Sequence, residues 1–218
     1  MSQQFVVYVD FDSTLYDTPR FSADLYQMIA KAAELPPGRV VAEATRFRGH
    51  AKLGGYDYAA HVSSYGLDPE SMWPRLEEIA RTKDYLYPDA VAFIHALHGD
   101  GLTPRILSFG ERRVQAAKIK ATLGRLSPVP GGRPLAYTII FEPKNGHIAA
   151  LHPGERGVLV DDIPDQQLPA GFHEIHLDRR RGNDAPLARH GDNFAVANLL
   201  QAGEAIHQLI VETPARAN

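Results

Sequence analysis

The apolar run Phe5-Val-Val-Tyr-Val9 ends in Asp10-Phe11-Asp12, two acids spaced two residues apart. Side chains at i and i+2 of a strand point the same way, so both carboxyls emerge together while Phe11 faces the other side. Like charges so placed repel. The pair needs a cation, a shared proton or a chemical task, since otherwise one acid takes up a proton; an acidic loop after a buried strand is the plainer alternative. Two more strand-like runs end in groups of this kind. Pro104-Arg-Ile-Leu107 leads to Ser108-Phe109-Gly110, and Gly157-Val-Leu-Val160 leads to Asp161-Asp162, with Asp165 close behind. Carboxylates suit a hard divalent cation, and a hydroxyl beside free backbone N–H groups at a helix start suits an anion. Lysine offers three positions. Lys118 and Lys120 lie on the helix after Ser108, where a solvated face is expected, whereas Lys144 follows a third strand and precedes the acidic pair.

These strand ends must be brought to one edge, and the hydrophobic patterning supplies the elements that do so. Phe21, Leu25, Met28, Ile29 and Ala32 predict a helix stopped by Pro36-Pro37. Helical stretches follow at about 38–47 and 57–65, on either side of Leu53-Gly54-Gly55. Asp68-Pro69, an N-cap with proline at the first helical position, opens another that aligns Met72, Leu76 and Ile79, with a kink or restart expected at Pro74. From Tyr16 to Tyr87 the chain offers helices and no convincing strand. Beyond it, helix is predicted over 88–98, 111–123 and 145–151, and strand over 104–107, 137–141, 158–160 and 172–177. Ser127–Pro134 reads as a surface loop, and Leu199, Gly203, Ile206 and Ile210 mark a last amphipathic helix. Such alternation argues for an α/β fold, a doubly wound parallel sheet covered on both faces, with its functional groups at the carboxyl edge. The expected organisation is a core of residues 1–15 and 88–218 with a helical cap domain inserted at 16–87.

In chain order, Asp10-Phe-Asp12, Ser108, Lys144 and Asp161-Asp162 resemble the motifs of the haloacid dehalogenase superfamily, from Phe5 to about Asp178. The resemblance implies a Rossmann-like core and a phosphoryl-accepting nucleophile at Asp10. Asp12 would be the acid/base that protonates the leaving oxygen and later takes a proton from water. Ser108, with the backbone of Phe109 and Gly110, and Lys144 would bind the phosphoryl group. Mg²⁺ would be held by the Asp10 carboxylate, the Asp12 backbone carbonyl and one carboxylate of the pair, Asp162 before Asp161. Asp165 would orient a metal-bound water or, alternatively, cap a helix. Dehalogenases of the superfamily lack an acid at the position of Asp12, which favours phosphate esters over carbon–halogen bonds. Ser13 stands where the family often has glycine and implies a tighter turn. The tract Asp161-Asp-Ile-Pro-Asp165 is also similar to the Asp-Asp-x-Pro-Asp of some deoxynucleotide-specific 5′-phosphatases, too short a likeness to name a substrate. The implied function is a Mg²⁺-dependent phosphatase of a small phosphorylated metabolite. A phosphotransferase or mutase, or a non-catalytic protein that retains the fold, are the other readings.

Composition narrows the field. With 218 residues the chain can form one sizeable core plus an insertion. A formal charge of −3 gives no broad basic surface for nucleic acid, and Arg179-Arg180-Arg181 reads as a solvated loop. The absence of cysteine excludes disulfides, thiol nucleophiles and thiolate metal sites, and fits a cytoplasmic protein. The first apolar run is too short for a signal peptide or a membrane span, so no membrane partner is expected. The ten histidines show no zinc spacing, with His95 and His98 in ordinary helical positions, and Tyr56, Tyr58 and Tyr65 read as packing. Arg46, Arg48, His50 and Lys52 concentrate positive charge beside Gly54-Gly55. They form either an exposed cationic face or a contact for an anionic or aromatic part of a substrate.

Overall fold

The computed structural model describes residues 5–48, 55–127 and 135–212. Five strands, β1 (Val6–Val9), β2 (Arg105–Phe109), β3 (Ala136–Ile140), β4 (Gly157–Asp161) and β5 (Phe172–Leu177), pair in parallel. Two short strands, β6 (Ala188–His190) and β7 (Asn193–Val196), form an antiparallel hairpin whose β7 runs parallel to β5. The strand order is β3-β2-β1-β4-β5-β7-β6. From β1 the chain steps outward to β2 and β3, then returns to β4 on the other side of β1, and such a reversal puts a ligand crevice at the carboxyl ends of β1 and β4.

Alternation along the strands gives each face of the sheet its own core. Val7, Val9, Val158 and Val160 pack into one layer, and Tyr8, Leu107 and Leu159 pack with Ile140, Ile148 and Phe172 into the other. At the start of β4 only glycine fits, because a Cβ on Gly157 would lie 2.3 Å from the Val6 carbonyl oxygen.

Between β1 and the first helix of the core lie α1 (Thr18–Ala32), α2 (Pro37–Ala44), α3 (Tyr58–Ser63) and α4 (Pro69–Thr82). Asp17, Asp57 and Asp68 cap α1, α3 and α4 by accepting first-turn N–H groups. The stretch expected to be one helix over 38–47 instead ends at Ala44 and tightens into a 3₁₀ turn, Thr45–Phe47. α4 passes through Pro74 without the expected break. A proline in the second turn removes one backbone bond, and the buried face of Met72, Trp73 and Leu76 holds the helix together around it. This helical segment joins the rest through two adjacent chain crossings, with Asp17 N–H donating to Tyr85 C=O at 2.7 Å and Tyr87 N–H to Leu15 C=O at 3.0 Å. Its apolar residues, Phe21, Leu25, Ile29 and Leu76, continue the same buried cluster as the sheet face.

The remaining helices are α5 (Ala90–Gly99), α6 (Arg112–Leu126), α7 (Lys144–Leu151) and α8 (Leu199–Glu212). None of the described helices is long and apolar enough to cross a membrane. Two expectations need correction. The β6–β7 hairpin was not foreseen, since its strands are only three and four residues long and carry Arg189 and His190. Arg179 is not part of a solvated loop: its guanidinium donates to both oxygens of Asp89 and to Thr14 C=O, and lies 3.7 Å from the centre of the Tyr87 ring. It clamps the joint between the helical segment and the sheet, while Arg180 stays exposed. Of the expected loop at Ser127–Pro134, residues 128–134 lie outside the described residues.

Candidate active site

Strand register brings the functional groups together. Val9 lies between Ile106 of β2 and Val160 of β4, and the Asp10 N–H donates to Val160 C=O at 2.8 Å. Asp10, Ser108 and Asp161 therefore emerge from three adjacent strands at one edge. Lys144, the first residue of α7, reaches in from the loop after β3. Its ammonium donates to Asp10 Oδ1 at 2.5 Å and to Asp161 Oδ2 at 2.6 Å, with all three residues buried. Asp161 Oδ1 accepts the Ile163 N–H at 3.0 Å, so both Asp161 oxygens are engaged, whereas Asp162 is half-buried. One carboxylate oxygen from each of Asp10, Asp161 and Asp162 lies within 4.8 Å of the others. A set of hard oxygen donors at that spacing fits Mg²⁺, which accepts one or two carboxylates and completes its shell with water.

Electrostatics at this edge are unbalanced without a cation. Burial raises the pKa of Asp10 well above the ordinary carboxylate range, with repulsion from Asp161 and Asp12 added, against the opposing pull of Lys144. Asp162 is raised to about 6 by burial and by the neighbouring Asp161. Burial alone would lower Lys144, but the charges of Asp10 and Asp161 outweigh it and keep the ammonium protonated.

Asp12 is held differently. Its Oδ1 accepts from Thr18 Oγ1 at 2.5 Å and from the Lys118 ammonium, and its Oδ2 accepts from Gln115 Nε2 at 2.7 Å. Burial would raise its pKa, yet Lys118 and these hydrogen bonds lower it, so Asp12 is a carboxylate in this arrangement. Lys118 is consequently not on a solvated helix face: it is 3% exposed and turned into the site, while Lys120 is exposed as expected. Thr18 and Gln115 had not been singled out. Gln115 and Lys118 are three apart on α6 and hence share a face, a spacing visible in the sequence.

Ser108 Oγ is buried and has no hydrogen-bond partner among the described residues, which suits a group awaiting a ligand. Three of the backbone donors near it are already engaged. Gly110 N–H donates to Ile140 C=O at 3.3 Å, and the Glu111 carboxylate takes the N–H groups of Arg113 and Val114 at 2.9 Å each. A glutamate at the N-cap satisfies the helix start internally. Ser13 adopts φ 59°, the left-handed turn that glycine would occupy most easily. Asp165 is exposed at φ 60° and is followed by no helix, so it does not serve as a helix cap, and it lies outside the acidic group of Asp10, Asp161 and Asp162.

Arg46 and Arg48 are exposed, with Arg48 bridged to Tyr56. A Cβ on Gly55 would lie 3.4 Å from Gly110 Cα, so this part of the helical segment rests on the rim of the site. His50, Lys52 and Gly54 lie outside the described residues. Tyr58 donates to Met72 C=O, and Tyr56 and Tyr65 hydrogen-bond the buried His61, so these aromatics are interior to the segment.

A family model for haloacid dehalogenase-like hydrolases matches residues 6–170. No curated protein matches the sequence. Among solved structures, a haloacid dehalogenase-like hydrolase of Burkholderia xenovorans LB400 superposes with TM-score 0.63 at 17% identity, covering 95% of this chain and 98% of the other. A HAD phosphatase of Thermococcus onnurineus gives 0.59 at 17%, covering 92% and 97%. The magnesium-bound HAD-hydrolase YfnB of Bacillus subtilis gives 0.60 at 13%, covering 95% and 99%. Dehalogenases are matched as well. At such identities the superpositions establish the fold alone.

Proposed function

This chain belongs to the haloacid dehalogenase-like hydrolases, and within that family we propose that it is a Mg²⁺-dependent phosphatase of a small phosphorylated metabolite. One observation carries the choice of substrate class: a second carboxylate, Asp12, is held in the site by three donors. An ester leaving oxygen needs a proton carrier, and a departing halide does not. A phosphatase of Thermococcus onnurineus and the magnesium-bound YfnB share the fold, as dehalogenases do, so the choice between the two chemistries falls to Asp12.

In this reading an oxygen of Asp10 attacks phosphorus and the ester P–O bond breaks, leaving an aspartyl-phosphate. Asp12, after taking up a proton as the substrate binds, delivers it to the departing oxygen, and the carboxylate left behind takes a proton from the water that attacks the phosphoryl group. The Lys118 ion pair favours the carboxylate, the form needed for the second step. Ser108 Oγ and Lys144 bind the phosphoryl oxygens, and Asp10, Asp162 and the Asp12 carbonyl would hold Mg²⁺. Engagement of both Asp161 oxygens supports Asp162 as the ligand of the pair. The bound ion supplies positive charge that offsets repulsion between carboxylates and phosphate. The helical segment, residues 16–87, serves as a cap over a core of 1–15 and 88–218. Incubating the protein with an aryl phosphate and Mg²⁺ tests the reading: phosphate release that stops on chelation and returns with added Mg²⁺ is expected, and release that survives thorough chelation rules it out.

A further inference from the structure

Lys118 is a buried cation for which the phosphatase reading gives no direct contact with substrate. Its ammonium lies 5.5–5.9 Å from the ring centres of Phe11, Tyr16 and Phe21, and its ion-pair partner is Asp12. An ammonium enclosed by rings has lost its water and needs a counter-ion to offset that cost, with cation–π attraction as a supplement. The dependence runs both ways. Asp12 stands near Asp10, at an edge already crowded with acids, where a phosphate dianion has to arrive. Thr18 and Gln115 fix the direction of its carboxylate but cancel no charge. Lys118 does both.

We propose that Lys118 is the positioning residue of Asp12, pinning its carboxylate between α1 and α6 and cancelling its charge so that a phosphate dianion can settle beside it. The role rests on the phosphatase reading. It separates the two buried lysines, since Lys144 serves the nucleophile and the phosphoryl group, whereas Lys118 acts only through Asp12.

A double-mutant cycle with two readouts tests this: binding of inorganic phosphate in the presence of Mg²⁺ by calorimetry, and kcat with an aryl phosphate. Lys118→Met keeps the volume without the charge, and Lys118→Arg keeps the charge. Lys118→Met is expected to bind phosphate at least about 10-fold more weakly and to turn over about 10–100-fold more slowly, a partial loss that reaches only the low end of the roughly 10²–10⁴-fold that acid–base assistance contributes. Lys118→Arg should recover most of both losses. Asp12→Asn/Lys118→Met, which carries neither charge, should bind phosphate within about 3-fold of wild type and turn over no slower than Asp12→Asn alone, as non-additivity requires when one residue acts through another. Calorimetric stoichiometry counts molecules able to bind, so partial unfolding does not imitate weakened affinity. If Lys118→Met does not fold, the double variant decides: a phosphate affinity about 10-fold or more below wild type overturns the role. Equal kcat losses from Lys118→Met in the two backgrounds, or an arginine no better than methionine, overturn it too. Wild-type protein that neither binds phosphate nor cleaves the ester refutes the phosphatase reading and this role together. Wild-type activity with a failed cycle refutes the Lys118 role alone.

Discussion

Asp10 and Asp12 sit two residues apart yet are placed in opposite electrostatic settings, one raised by burial and neighbouring acids, the other lowered by Lys118. Different tasks follow from that. Asp10→Asn should abolish turnover and phosphoenzyme formation, because an amide is a poor nucleophile and brings no ligand charge. Asp12→Asn should slow turnover by about 10²–10⁴-fold, the usual worth of general acid–base help. Trapping the phosphoenzyme and mapping the modified residue checks both, and a phosphoryl group found elsewhere than Asp10 rejects the assignment. Asp162, raised to about 6, predicts how metal binding depends on pH. Below that value a proton competes with Mg²⁺ for the carboxylate, and above it the carboxylate is free, so affinity should rise as pH increases through about 6 and then level off. Mg²⁺ titrations at a series of pH values measure this, and a flat profile across the range contradicts it. The types of Asp10, Asp12, Ser108, Lys144 and Asp162 were legible in the sequence because each sits at the end of a strand or the start of a helix. Lys118 was misread. A helix pattern shows which residues share a face, but only packing tells which face meets the loop after β1, more than a hundred positions earlier.

At the scale of elements, strand ends and α6 meet at Gly110. Its φ of 141° and the 2.7 Å between a Cβ there and Gln115 Nε2 mean that any side chain displaces the amide holding Asp12 Oδ2. Gly110→Ala should therefore lower kcat by about 10-fold or more while costing stability of about 1–3 kcal/mol from the backbone strain. Thermal melts paired with kcat decide it, since an unchanged kcat would show that Gln115 relaxes without consequence. Most elements were legible because their apolar residues recur with period 2 or 3.6 and their ends carry Asp, Gly or Pro. The hairpin β6–β7 escaped, although Gly191-Asp192 is a turn signal, because three or four residues at a sheet edge bury too little to leave a pattern. Arg179 escaped for another reason. A run of three arginines looks solvated, and only the fold turns the first of them back onto Asp89, Thr14 and Tyr87.

For the whole molecule, in the proposed reaction the core groups treat only the phosphoryl moiety, so selectivity would come from whatever covers the carboxyl edge. The helical segment leaves the sheet directly after Asp12, returns beside its own starting point at Tyr85 to Tyr87, and rests Gly55 on Gly110 at the rim. Anything read there acts on the leaving group, as lids do elsewhere. Arg46 and Arg48 stand exposed in the same segment, with Arg48 bridged to Tyr56 beside Gly55. Arginine binds carboxylates and phosphates through two parallel hydrogen bonds, which suits an anionic portion of a metabolite beyond its ester. Replacing both with glutamine should raise KM for the preferred substrate by about 10-fold or more, one to two charge-assisted hydrogen bonds' worth, and leave kcat/KM for a small aryl phosphate within about 2-fold. Steady-state kinetics on the two substrates separate the outcomes. Parallel losses on both would move the arginines into the general machinery of the site, and no change on either would return them to the solvated surface.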